Sequence, residues 1–299
     1  MPERIHQIMN WVDQARLDFF SDIRYFFHMI TKLHTFCLLG LLFIAVGALA
    51  KNAHAAISDW QDLGGGKIRL IAISDPDTNV VKGVIEVKLK EGWKTYWRDA
   101  AGSGIPPRFD FSASRNFTAQ SPKFPVPILF KSKYGSHAGY KGTTRFPFEG
   151  KIGSSGNTKI EVDILIGLCE EICIPATANL AIENRELKRS DPAALQMITM
   201  AGFSLPKQVP LEEYLLSIEP VEDKKLQIRV KSPENSKTPE LLIEGPQNWY
   251  LTPAVFRGNE GEAAIFDLDL GKAVGKIDLQ GAKLRFTFLN GPQGVEFQN

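Results

Sequence analysis

The chain has 299 residues, with 35 Lys/Arg against 34 Asp/Glu and a formal net charge of +1 at pH 7. That balance leaves no basic footprint for nucleic acid or an anionic membrane surface. Only 3 Cys and 5 His are present, a thin supply for metal centres or Ser-His-Asp triads.

In chain order, residues 1–28 read as the product of a misassigned start or as a frayed amphipathic helix, because Met29 makes a more ordinary start for an export signal than Met1 does. Lys32 and His34 precede an apolar run of 15 residues, Phe36 to Ala50, and Ala53-His54-Ala55 then supplies a small-x-small pattern. The run is shorter than the roughly 20 residues that span a bilayer. It reads as a secretory signal cleaved after Ala55, with an uncleaved anchor as the alternative. Cleavage would leave 244 residues with 30 basic and 30 acidic side chains, one histidine (His137), two methionines (Met197 and Met200) and two cysteines (Cys169 and Cys173).

From Lys67 the pattern is period-two alternation broken by Gly, Pro, Asn and Asp clusters, which predicts antiparallel strands. Strands are expected at 67–73, 81–89, 159–166 and 178–182, and their density between 56 and 185 suits an immunoglobulin-like β-sandwich. Within it, Trp93, Thr95 and Trp97 share one strand face and should pack in the core, leaving Lys94, Tyr96 and Arg98 on the other. His137 reads as a solvated loop residue. Ser190-Asp191-Pro192 signals a capped helix stopped by Gly202, carrying Met197 and Met200 as a buried stripe rather than a copper site. Pro206 and Pro210 mark a linker, and runs at 226–230, 240–244, 264–268 and 283–288 predict a second, smaller β-sandwich. The expected organisation is therefore all-β: extension and signal 1–55, first sandwich 56–185, helix and linker 186–211, second sandwich 212–299. No Gly-rich phosphate loop or exact internal repeat occurs.

The stretch IGLCEEICIP places Cys169 and Cys173 at the ends of two strand-like runs, so a hairpin with Glu170, Glu171 and Ile172 in its turn brings them face to face. Opposed residues of an antiparallel pair lie about 4.5–5.5 Å apart, within disulfide reach. As a staple such a bond closes only a short loop, worth roughly 2 kcal/mol against about 4.5 for a loop of about 80 residues. Short range favours chemistry, because thiol–disulfide exchange needs a resolving cysteine beside the attacking one. Glu170 and Glu171 disfavour a thiolate, which suits a pair that waits for a partner to dock. A structural staple and a Cu(I) site remain as alternatives.

The blocks Gly92-Trp93-Lys94-Thr95-Tyr96-Trp97-Arg98, Gly102-Ser103-Gly104-Ile105-Pro106-Pro107, Tyr140-Lys141-Gly142 and Cys169-Glu170-Glu171-Ile172-Cys173-Ile174-Pro175 resemble the periplasmic N-terminal domain of the DsbD thiol:disulfide interchange proteins, in particular the ScsB-like branch linked to copper tolerance. The resemblance implies an immunoglobulin-like domain that takes reducing equivalents from a membrane-embedded DsbD/ScsB-like donor and passes them to periplasmic disulfide-containing proteins. It implies that Cys173 forms mixed disulfides and Cys169 resolves them, without cofactor or metal. It also implies a cap loop over the pair, with Phe130, Tyr134 and Tyr140 as its candidate shielding residues. Two departures stand out: Lys131-Ser132-Lys133 replaces an acidic and aromatic segment, and the C-x3-C gap is shorter than in the best-known members. With no multi-helix domain before Asn299, the donor is expected to act in trans.

Overall fold

The computed structural model describes residues 57–299 except 76, 101–103, 133–134, 155, 184–186, 188–190, 223, 233–237, 247–248, 250, 272–280 and 292. The expected signal and start site therefore lie outside the described residues, as does Tyr134.

The first sandwich is built from β1 Gln61–Asp62, β2 Gly66–Ser74, β3 Val80–Leu89, β4 Lys94–Tyr96, β5 Arg108–Asp110, β6 Phe117–Ala119, β7 Ile128–Ser132, β8 Gly135–Lys141, β9 Thr143–Ile152, β10 Lys159–Cys169 and β11 Cys173–Glu183. One sheet runs β1-β2-β3-β9-β6 and the other β11-β10-β4-β8-β7, with β5 also on β10. Alternation decides which side chains face inward: Ile68, Leu70, Ile85, Val87, Phe146, Ile166 and Leu168 interleave in one core between the sheets. The outer face of β2 and β3 carries an apolar patch at Ile71 and Val84, and that patch is covered rather than wet. Helix α1, Pro192–Phe203, lays Ala194, Ile198 and Ala201 on Ile71 and Val84.

Asp191 caps α1 by accepting from the Ala193 and Ala194 amides, which satisfies two of the orphan donors at a helix start. Two expectations about this helix need correction. Its end lies past Gly202, at Phe203, where Ser204 takes the cap position. The methionines do not form a stripe: Met197 packs against the covered sheet face and its sulfur accepts from Arg69 Nη2 at 3.4 Å, whereas Met200 is exposed. Met200 lies about 60° farther round the helix than Met197, outside the narrow contact made by Ala194, Ile198 and Ala201.

The second sandwich comprises β12 Lys207–Gln208, helix α2 Leu211–Tyr214, β13 Leu215–Glu222, β14 Lys225–Lys231, β15 Glu240–Glu244, β16 Val255–Glu260, β17 Ala263–Asp269, β18 Arg285–Leu289 and β19 Val295–Gln298. Its sheets run β12-β19-β18-β15 and β13-β14-β17-β16 around Phe266, Phe286, Phe288 and Phe297. The all-β class, with an immunoglobulin-like sandwich followed by a smaller one, is thus what the alternation predicted. The two sandwiches share buried surface, since Leu242 and Leu289 of the second join the first core.

Candidate redox site

Strands β10 and β11 form a hairpin whose register runs without a slip from Lys159↔Glu183 to Cys169↔Cys173. The unbroken ladder delivers both cysteines to the last pair before the turn, with Cα atoms 4.1 Å apart and a disulfide of 2.08 Å between them. Strand β11 is the free edge of its sheet among the described residues, which is where Pro175, lacking an amide proton, is tolerated. The two sulfurs meet different surroundings. Cys169 is buried against Tyr96 and Ala100, while Cys173 is exposed and flanked by Ile172, 77% exposed, and Ile174.

Strand β4 supplies the third member. Its register sets Thr95 opposite Leu168 and Lys94 opposite Cys169, so Tyr96 falls beside Gly167 on the outer face of the sheet. Room for the ring comes from two glycines. A Cβ on Gly167 would lie 3.1 Å from the Tyr96 ring and 2.8 Å from the Ile105 carbonyl oxygen, and one on Gly104 would overlap the ring outright. So seated, the Tyr96 hydroxyl reaches Cys173 Sγ at 3.0 Å. Burial pushes the Tyr96 phenol above its ordinary value, which keeps the hydroxyl protonated and able to donate at neutral pH.

Strand β8 lies on the other side of β4 and adds His137, whose ring centroid is 5.7 Å from Tyr96 and 5.5 Å from Phe130. Lys94 Nζ sits 4.9 Å from the Phe130 ring centre. Burial first, and then the charge of Lys94, hold the His137 imidazole below its usual pKa and so favour its neutral form. His137 is therefore a half-buried strand residue between two rings, not the solvated loop residue expected. The tract 135–141 looked like a loop because Gly, Ser and Ala hid its alternation; its pairing with β4 and β7 makes it a strand.

The cap candidates separate in the structure. Phe130 borders the site through His137. Tyr140 does not: it lies opposite Thr95 on the inward face of the β4–β8 ladder, buried, with its hydroxyl donating to the Pro125 carbonyl at 2.9 Å and its ring 5.4 Å from Phe146. Its assignment as a shielding residue is corrected to a core one. Of the aromatic block, Thr95 and Trp97 are buried and Trp93 packs against the core, as alternation required. Sequence reading missed Tyr96 as a neighbour of the cysteines, though it stood on the face opposite the core residues. Among the described residues no group of three or more His, Cys, Asp or Glu is placed to hold a metal ion.

Comparison with known proteins bears on the hairpin directly. Residues 70–184 match the family described as thiol:disulfide interchange protein DsbD, N-terminal. The first sandwich is therefore similar to DsbD-type N-terminal domains over that segment. Residues 208–299 match a domain of unknown function (DUF8393). Among solved structures, the N-terminal periplasmic domain of ScsB from Proteus mirabilis superposes with a TM-score of 0.66 at 20% identity, covering 82% of this chain and 98% of that one, so the shared fold extends beyond the first sandwich. An endo-fucoidan hydrolase, MfFcnA9 of glycoside hydrolase family 107, aligns at 9% identity over 64% of this chain and 30% of its own, with a TM-score of 0.15. No curated protein matches the sequence.

Proposed function

We propose that this DsbD-type chain is a periplasmic dithiol/disulfide relay in which Cys169 and Cys173 accept two electrons from a membrane-embedded dithiol donor acting in trans and pass them to disulfide-containing proteins. The observation that carries this reading is the asymmetry of the bond: one exposed sulfur with a hydroxyl donor at 3.0 Å, joined to one buried sulfur.

A donor thiolate attacks Cys173 Sγ, the Cys169–Cys173 bond breaks, and its electron pair leaves on Cys169 as a mixed disulfide forms on Cys173. The donor's second thiolate then displaces Cys173, leaving the donor oxidised and this chain as a dithiol after uptake of two protons. On the client side the Cys173 thiolate attacks the client disulfide and the leaving sulfur takes a proton. Cys169 next attacks Cys173, restoring the internal bond and releasing the client reduced. Tyr96 acts on Cys173 in both halves. A hydroxyl donating to a thiolate makes a stronger hydrogen bond than one donating to a neutral disulfide sulfur, so Tyr96 favours the reduced form.

A purely structural staple is the weaker alternative. The hairpin already pairs along its whole length from Lys159↔Glu183 to the cysteines, so the covalent link closes a turn that the ladder holds shut. The test is to change Cys169 to Ser, incubate with disulfide-bearing periplasmic extract, and look for mixed disulfides on Cys173. Adducts that disappear in a Cys173→Ser control support the relay, and their absence rejects it. Binding of stoichiometric Cu(I) dependent on both cysteines would instead favour the copper reading.

A further inference from the structure

Strand β15 of the second sandwich is five residues long, Glu240-Leu241-Leu242-Ile243-Glu244, and alternation sends its side chains to two different places. Leu241 and Ile243 enter the second core, while Leu242 enters the first. The two glutamates that share Leu242's parity hold the segments that carry Tyr96 and Phe130. Glu244 pairs with Arg98 at 2.5 Å, and Glu240 pairs with Lys131 at 3.5 Å. Arg98 is two residues beyond Tyr96, and Lys131 is next to Phe130.

The Arg98 arm is the stronger one. Its guanidinium also pairs with Glu296, approaches Thr287 Oγ1 at 3.4 Å, and lies 4.2 Å over the Trp97 ring, with only 15% of the side chain exposed. Three consecutive side chains are thus fixed at three different places: Tyr96 at Cys173, Trp97 in the first core, and Arg98 in the second sandwich. A shift at Arg98 has to be absorbed by the backbone that sets Tyr96. The Lys131 arm, with its lysine 70% exposed, is the weaker.

We propose that β15 is a brace for the redox site: through Glu244–Arg98, and secondarily Glu240–Lys131, the second sandwich fixes where Tyr96 and Phe130 stand relative to Cys173 and so sets the reactivity of the disulfide. Arg98 and Glu244 are positioning residues, acting through Tyr96. This inference rests on the relay reading and assigns a task to the sandwich whose family has no known function.

The test uses the full chain equilibrated in glutathione buffers of graded poise, with the dithiol fraction read by thiol alkylation and mass. Glu244→Gln should move the equilibrium about three- to tenfold toward the disulfide, about 15–30 mV for a two-electron couple. The sign should match Tyr96→Phe, because each change weakens the hydroxyl donation that favours the reduced form. The shifts should not add: in a Tyr96→Phe background, Glu244→Gln should change nothing further. Arg98→Lys keeps the charge but loses the two-pronged geometry, and should shift the same way even if the glutamine variant is too unstable to titrate. Glu260→Gln, which breaks the Arg229 pair on the other sheet of the second sandwich, should leave the titration where it was. A folded Arg98→Lys that titrates like the parent, or shifts that add to Tyr96→Phe, would overturn the brace. Failure of the parent pair to equilibrate with glutathione at all would reject the relay itself, a separate outcome.

Discussion

Two buried ion clusters, alike in make-up but opposite in sign, do different things. Glu86, its side chain 3% exposed, is held by Arg69 at 2.6 Å and Arg145 at 2.5 Å, and these three are direct neighbours across β2, β3 and β9. Arg98 is held by Glu244 and Glu296, residues 146 and 198 positions away on the other sandwich. The first cluster reinforces a register that the backbone ladder already sets. The second makes a connection that no ladder provides, and makes it two residues from the hydroxyl that touches Cys173. Burial of a charge therefore says little about its role until the elements it joins are named.

Replacement of either central charge gives the largest expected effect and sharpens the contrast. Glu86→Ala deprives two guanidinium groups of their shared carboxylate and Arg98→Met deprives two carboxylates of their shared guanidinium, so each should cost about 3 kcal/mol in urea unfolding. Only Arg98→Met should also alter the glutathione equilibrium; a matching redox shift in Glu86→Ala would erase the distinction. Next in size is Gly104→Ala, where the new methyl overlaps the Tyr96 ring. Overpacking of this kind costs about 1–3 kcal/mol, and ejecting the ring should reproduce the redox shift of Tyr96→Phe. Tyr96→Phe itself removes one hydrogen bond, worth about 1 kcal/mol in stability. Its unfolding midpoint should thus barely separate from the parent's while its redox equilibrium does.

The smallest effect concerns pH. Burial and Lys94 depress the His137 pKa in the folded state, so the fold prefers the neutral imidazole. That preference is fully present above the unfolded value of about 6.5 and is lost as pH falls from there through the folded pKa. Glu296 behaves alike at lower pH: burial acts to raise its pKa, but Arg98 together with Gln208 and Arg285 brings it below the ordinary value, so the clamp is fully present above the ordinary carboxylate range and is lost as pH falls through the folded value. Urea midpoints at pH 7 and pH 5.5 should show a small decline that His137→Gln abolishes. An unchanged decline in that variant would remove His137 as its source.

The same division separates the legible parts of the sequence from the rest. The β10–β11 hairpin was legible because alternation on both sides of a short polar turn leaves one register for Cys169 and Cys173. Strands β2, β3 and β14 were legible for the same reason. The place of Tyr96 was not, because it depends on β4 pairing with β10 and β8, strands far away in sequence, and on vacancies at Gly104 and Gly167. Tyr140 misled for a related reason: proximity to the expected cap loop in sequence says nothing about which face of β8 it occupies. Arg98 was placed on the correct strand face, but its partners lie in the second sandwich, where no local pattern points back to it.

The most direct measurement is the midpoint of the Cys169–Cys173 couple in the intact chain, from alkylation and mass across glutathione or thioredoxin-type buffers. The relay predicts reversible interconversion with a midpoint above about −300 mV, within reach of biological donors. A bond that stays closed at poises more negative than about −300 mV would mark a permanent link and contradict the assignment.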